Sequence, residues 1–157
     1  MISIIAAIGK NNELGKNNKL IWHIKEDMKY FREKTLGHKV IMGSRTWDSL
    51  PEKLPQRENI VVTTREFEGP DLIAHGVDEI IEKYTDSDEE VFIIGGGTLY
   101  MQFLPYAKNL YLTEVDATDK KATTYFPEFD KSKYNREVLK KGSENGLDYA
   151  FVKYTKK

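Results

Sequence analysis

Cysteine is absent from the 157 residues, which excludes disulfides, thiolate nucleophiles and cysteine-bound metals together. An excess of one charge is missing too, since 24 Lys and Arg stand against 25 Asp and Glu, a formal net charge of −1. That balance removes the electrostatic case for DNA, RNA or an anionic membrane as principal partner. Long apolar runs are lacking: the longest, Ile4 to Ile8, falls far short of the ~20 residues that span a bilayer. No basic segment precedes it, so no signal peptide is expected. The three histidines, His23, His38 and His75, are far apart and form no HExxH, so no metal is expected. His38, after Gly37, reads as a solvated turn residue. Neither a GxSxG elbow nor a Walker A loop occurs, which removes the usual anchors of hydrolase and kinase readings. What is present suits a folded protein. Leu, Ile, Val and Phe make up 40 of the 157 residues, above the roughly 20% below which disorder is the better reading. A single soluble, cytoplasmic domain over residues 1–157 is expected.

Short β-rich runs alternate with helical stretches. Ile2 to Ile8 reads as a buried strand closed by Gly9, and Gly9 to Asn18, rich in Asn and Gly, as a loop. At about ten residues that loop exceeds the common ~4–6, and long ordered loops tend to carry function. A helix is expected over Ile24 to Leu36, a strand over Lys39 to Met42, and a short helix from Ser44 to Leu50. Further strands are expected at Asn59 to Arg65 and Leu72 to Ala74, then a helix at Val77 to Tyr84. Glu90 to Ile94 reads as a central strand that runs into Gly95-Gly96-Gly97 and a helix from Thr98 to before Pro105. Leu110 to Val115 is the next strand, and Arg136 to Tyr154 reads as two strands around Gly142 to Gly146. The pattern predicts an α/β fold: one mostly parallel central sheet flanked by helices, with an antiparallel C-terminal hairpin. Ligands in such sheets sit at the carboxyl ends of strands, so the exits at Gly9, Gly43 and Gly95 draw attention.

Gly95-Gly96-Gly97 offers bare backbone before a helix, which suits a phosphate, although Tyr100 stands where a GxGxxG motif would place its last glycine. The alternative is a tight turn that needs positive φ. Gly43-Ser44-Arg45-Thr46 and Thr63-Thr64-Arg65 form a second phosphate candidate, because the guanidinium fork is planar and always charged. The plainer reading makes Ser44 the helix cap and leaves both arginines solvated. Asp27 is the most informative residue. Ile24, Met28 and Phe31 define an apolar stripe by i, i+4, i+7 spacing, and Asp27 falls on it. A carboxylate there is protonated, paired with a cation, or hydrogen-bonded to a ligand; without a cation its pKa rises, as a proton-handling group requires. Partial exposure at the edge of the stripe, or pairing with Lys or Arg, is the structural alternative.

Taken in order, the chain resembles the dihydrofolate reductase family along nearly its whole length. The resemblance is carried by Ile5-Ala6-Ala7, Leu14-Gly15, Trp22, Asp27, Phe31 and Thr35, then Val40-Ile41-Met42-Gly43 with Thr46-Trp47. Leu54-Pro55-Gln56-Arg57-Glu58-Asn59-Ile60, Ile93 to Gly97 with Tyr100, Phe103-Leu104-Pro105 and Tyr125-Phe126-Pro127 continue it. The resemblance implies NADPH-dependent reduction of 7,8-dihydrofolate to tetrahydrofolate, with hydride delivered to pterin C6 and a proton to N5. It also implies roles for residues. Asp27 would hold the pterin's 2-amino group and N3, Thr113 would bond to Asp27, and Trp22 would close the catalytic group. Ile5, Met28, Phe31 and Leu54 would line the pterin and benzoyl pocket, and Arg57, with Arg32 nearby, would clamp the substrate's α-carboxylate. Ala7, Leu14, Gly15 and Asn18 would meet the nicotinamide half. Thr46, Gly95, Gly96 and Gly97, with Thr98, Leu99 and Tyr100 behind them, would meet the rest of the cofactor, and Arg45, Thr63, Thr64 and Arg65 its 2′-phosphate. Dihydrofolate and NADPH are the partners implied, and a monomer is expected.

The chain departs from the family's pattern in four places. Ile21 and Lys25 stand where prolines are usual, which should loosen the entry to the helix. Ser44 occupies an often basic position, and Thr123 replaces an Asp that holds the active-site loop in some members. Two rival readings share parts of the pattern: a same-fold pyrimidine reductase of riboflavin synthesis, and a non-catalytic NADPH-binding module. The first would share the glycine triplet without needing Asp27, Trp22 and Arg57 together. A buried Asp27 with no cation would disfavour the second.

Overall fold

The computed structural model describes residues 1–17 and 19–157, so the expected nicotinamide contact Asn18 lies outside the described residues. Strand β1 (Ile2–Ile8), helix α3 (Val77–Tyr84) and strand β6 (Leu72–Ala74) have the expected bounds. Strands β4 (Lys39–Gly43), β5 (Glu58–Val62), β7 (Val91–Gly95) and β8 (Ala107–Val115) differ at their ends. Helices α1 (Lys25–Thr35), α2 (Ser44–Ser49) and α4 (Gly97–Phe103) complete the expected set. The C-terminal hairpin is β10 (Tyr134–Glu144) and β11 (Leu147–Lys156).

These strands form one eight-stranded sheet in the order β10-β11-β8-β1-β7-β4-β5-β6. The run from β8 to β6 is parallel, and β11 and β10 add to its edge antiparallel. Strand β1 lies between β7 and β8, so both faces must be apolar. Ile2, Ile4 and Ile8 face α3 and α4, with Ile80, Tyr84, Leu99 and Phe103. Ile5 faces the other way, toward Tyr30 and Phe31 of α1, with Phe92 and Tyr111. Burying each such Ile is worth about 1.5–3 kcal/mol.

Several expectations need correction. Residues 9–18 are not one loop: Glu13–Lys16 is strand β2, which pairs antiparallel with β3 (Lys19–Leu20) and with β9 (Thr124–Tyr125) in a second, small sheet. Polar strands this short carry no period-2 signal, and one partner lies over a hundred residues away. The third expected strand stops at Val62, because Thr63 Oγ1 accepts the Arg65 amide at 3.2 Å and turns the chain out of the sheet. Gly142, Ser143 and Glu144 belong to β10, and the turn is Asn145-Gly146 alone, with φ of 52° and 79°. Ser44 does not cap α2: Gly43 is the N-cap, and no side chain bonds there. His38 is half-buried, with Nδ1 3.1 Å from the Glu90 carbonyl and its ring edge-on to Phe92. Met28 is 66% exposed rather than part of a buried stripe.

The entry to α1, expected to be loose without its prolines, is fastened from the hairpin. Both Glu144 carboxylate oxygens accept the Lys25 amide, at 2.9 and 3.1 Å. Tyr149 and Lys140 each donate to Glu26 at 2.6 Å. An N–H that proline would have lacked is thus satisfied by an acidic group beside the positive end of the helix.

Candidate active site

The carboxyl ends of β1, β7 and β4 open on the face covered by α1 and α2. Asp27 stands there on the first turn of α1, partly buried, and accepts the Thr113 hydroxyl at 2.5 Å from β8. None of the ion pairs among the described residues includes it. Burial pushes its carboxyl above the ordinary carboxylate range, and the Thr113 hydrogen bond offsets part of that rise. The floor below it is apolar: Ile5, Phe92 and Tyr111, with Phe31 and Ile94 packed against them.

Two phenols lie near Asp27, of which Tyr100 is expected from the sequence to meet the cofactor and Tyr30 is not expected at the site. Tyr30, one turn along α1, stacks on Phe151 at 4.2 Å, and its buried hydroxyl has no protein partner. Tyr100 donates its hydroxyl to the Ile5 carbonyl at 2.8 Å, beneath the glycine triplet. Burial raises both hydroxyls, and the charge of Asp27 adds to the rise, so both remain protonated donors. A Tyr inside an apolar helical face reads as core packing, so only its neighbour Asp27 could have signalled it.

Arg57 lies with its guanidinium 6.0 Å from the ring of Phe31 on α1. It is 8% exposed, yet none of the ion pairs among the described residues includes it. Its Nε donates to Pro55 O at 3.0 Å, and its Nη1 to Thr35 Oγ1 at 3.1 Å. The remaining guanidinium donors are uncommitted, and both burial and the nearby Arg32 weaken the hold on its proton. Asn59, fully buried, sets this turn: it accepts from Leu54 N at 3.0 Å and donates to Leu54 O and Arg57 O, each at 2.9 Å. Asn59→Ala should cost about 2–4 kcal/mol of stability, read from denaturant midpoints, because a buried amide and two carbonyls lose partners.

Trp22, nearly buried, donates its indole N–H to Glu13 O at 2.9 Å, and Leu14 packs into the main core. Ala7 packs beside Trp22. Gly15 is boxed in: a Cβ there would lie 2.8 Å from Thr124 Oγ1 and 2.9 Å from Lys19 O. Thr123, expected to be a lost loop partner, still ties the loop. Its hydroxyl accepts Asn17 N at 2.9 Å, and its amide donates to Gly15 O at 2.9 Å.

At the β7 exit Gly95 has φ +138°, and a Cβ there would lie 3.3 Å from Thr46 Oγ1. The backbone of the triplet is therefore bare toward Thr46, and Gly96 and Thr98 are exposed. Leu99 and Tyr100 point into the core instead. Arg45 and Arg65 are exposed, and no ion pair among the described residues includes either; Arg65 lies 5.2 Å over the Phe67 ring. A bare glycine turn flanked by two uncommitted arginines fits an anionic dinucleotide. No cluster of three or more potential metal ligands occurs among the described residues. A recess of about 360 Å³ around the Lys10–Asp116 pair contains none of the expected residues and is lined by both signs of charge.

The family model for dihydrofolate reductase matches residues 1–156. The chain is similar to dihydrofolate reductase of Bacillus subtilis, 39% identical with 100% of this chain and 95% of that protein covered. It is similar to dihydrofolate reductase of Haemophilus influenzae at 35% identity, covering 99% and 98%. Among solved structures it matches dihydrofolate reductase from Enterococcus faecalis complexed with NADP(H) and RAB-propyl. That match has a TM-score of 0.88 and 27% identity, and covers 99% of this chain and 96% of that one.

Proposed function

The chain belongs to the dihydrofolate reductase family, and from that premise we propose how its cleft reduces 7,8-dihydrofolate to tetrahydrofolate with NADPH. The observation that carries the reading is Asp27: a carboxyl on an apolar cleft, unpaired by any cation in the described ion pairs and oriented by Thr113. A pterin presents an amidine-like edge of adjacent N–H donors, which a carboxylate accepts in parallel. Asp27 binds that edge when ionised, and its raised pKa suits it to take up and pass on, through water, the proton that N5 receives. Ile5, Met28, Phe31 and Leu54 enclose the rings and the benzoyl group. Arg57, fixed by Thr35 and Pro55, takes the α-carboxylate, with Arg32 adding positive charge.

NADPH supplies the hydride. Ala7, Leu14 and Gly15 would meet its nicotinamide half, Thr46 and Gly95 to Gly97 its pyrophosphate, with Thr98, Leu99 and Tyr100 supporting that turn. Trp22 and the loop that carries it exclude water from the reacting atoms, which strengthens every polar interaction inside. The same-fold pyrimidine reductase is not favoured, and the uncharged neighbourhood of Asp27 argues against a silent sensor. Following loss of NADPH absorbance on addition of dihydrofolate tests the reading, and no dihydrofolate-dependent oxidation would refute it. The protein is taken to act as a monomeric single domain over residues 1–157 in the cytoplasm, which light scattering and fractionation check.

Arg45, Arg65, Thr63 and Thr64 are assigned to the 2′-phosphate. Arg45→Gln with Arg65→Gln should lower the preference for NADPH over NADH by about 10- to 100-fold, one or two screened, charge-assisted contacts. Because both arginines are exposed and Ser44 adds no charge, the preference should also fall with ionic strength. Michaelis constants for both cofactors at two salt concentrations check this. A double variant as selective as wild type would place the phosphate elsewhere.

A further inference from the structure

The segment between β1 and α1 contains a buried acid that the reaction does not use. Glu13 is 1% exposed. Its Oε1 accepts the Asn11 amide at 2.8 Å, and its Oε2 accepts the Asp119 amide at 2.6 Å, from the chain beyond β8. Its carbonyl accepts Gly9 N at 3.1 Å and the Trp22 indole N–H at 2.9 Å. No ion pair among the described residues includes Glu13. A carboxylate removed from water without a cation persists only where hydrogen bonds compensate it, and here the donors are backbone amides from two separate segments.

The packing leaves little slack around this residue. A Cβ on Gly9 would lie 2.5 Å from Glu13 Oε1, 2.5 Å from Trp22 Cζ2 and 2.8 Å from the Ala117 carbonyl. That carbonyl already accepts Lys10 N at 2.9 Å. The loop start, the indole and the segment Ala117 to Asp119 therefore meet at one side chain. The pairing of β2 with β9 runs through the Glu13 backbone opposite Tyr125, and Thr123 ties Gly15 and Asn17, so neither contact needs the Glu13 side chain.

We propose that Glu13 is a positioning residue, which sets the Trp22 indole over the cleft by clamping the loop to the Ala117–Asp119 segment. The inference rests on the reading of this cleft as the reductase centre. If the clamp is lost, Glu13 stays in β2 opposite Tyr125, but its carbonyl and the Trp22 indole that donates to it are no longer held against the Ala117–Asp119 segment. Trp22 then excludes water less well during reduction, while substrate contacts with Asp27 and Arg57 persist.

Two tryptophans, Trp22 and Trp47, give two indole resonances in the labelled full-length protein, and Trp47 serves as internal control. In Glu13→Gln and Glu13→Ala the Trp22 indole signal should shift and exchange faster with solvent, with that of Trp47 unmoved. Single-turnover reduction should slow by about 10- to 100-fold, the scale of a misplacement remote from the chemistry. The Michaelis constant for dihydrofolate should stay near its wild-type value. Variants that only lose thermal stability, with indole signal and rate as in wild type, overturn the proposal. A moved indole with an unchanged rate overturns it equally. Should Glu13→Ala fail to fold, Glu13→Gln, which conserves volume, carries the test. Wild-type protein that does not oxidise NADPH with dihydrofolate would refute the reductase reading instead, and the indole shift would still report on the clamp alone.

Discussion

Asp27→Asn should keep the fold and bind NADPH while losing roughly 10²–10⁴ in turnover at pH 7, the usual contribution of a general acid–base group. The loss should shrink at low pH, where solvent can protonate the substrate directly, and a pH–rate profile on both proteins shows whether it does. The same variant should be the more stable protein at pH 7. A carboxyl whose pKa is raised by folding binds its proton more tightly in the folded chain. Its contribution to stability is therefore present at low pH and is lost as the pH climbs from the ordinary carboxylate range, near 3.8, through the folded value. Asn carries no such penalty and can still accept from Thr113 through its carbonyl oxygen. Denaturant midpoints should thus diverge above the ordinary carboxylate range and converge below it. A turnover near wild type at pH 7 would remove Asp27 from the mechanism.

Arg57→Leu should weaken dihydrofolate binding by about 2–4 kcal/mol, since a charged bidentate contact is lost and the substrate carboxylate is left unpaired. Binding of a pterin that lacks the glutamate tail should barely change. The geometry makes this a clean comparison. Thr35 and Pro55 already hold two of the guanidinium donors, so the free ones have no other acid among the described ion pairs. Equal losses for both ligands, by titration calorimetry, would mean that Arg57 acts through the Leu54–Asn59 turn.

The parts of this site that could be read from the chain are those with a local signature. Ile2–Ile8, Val77–Tyr84 and Leu72–Ala74 have clean apolar patterns and were bounded correctly. Asp27 drew attention because its spacing set it among apolar residues, and its unpaired state follows from the fold. What could not be read depends on partners far along the chain. Glu13 looks like one more polar residue in an Asn-rich segment; its partner, the Asp119 amide, lies 106 positions away. Met28 satisfies the helical stripe, but a helix that borders an open cleft leaves part of its apolar face in solvent. Thr123 appeared to lose a loop contact because an acid was missing, yet a hydroxyl and its own amide make two. Strand ends at Val62 and Glu144 were misplaced where side-chain hydrogen bonds and φ > 0, not propensity, decide the turn.

The position of β1 has a consequence for how the chain is made. Among the described residues, its seven residues pair with β7 and β8 alone, whose first residues are Val91 and Ala107. A ribosome adding roughly 5–20 residues per second needs on the order of ten seconds to release β7 after β1. Throughout that interval the most isoleucine-rich segment of the protein has no strand to pair with, and its unpaired edges are templates for another nascent chain. Newly made protein should therefore be most vulnerable to aggregation before its second half emerges. Slowing translation between β1 and β7 would prolong that exposure, whereas slowing it after β8 would not.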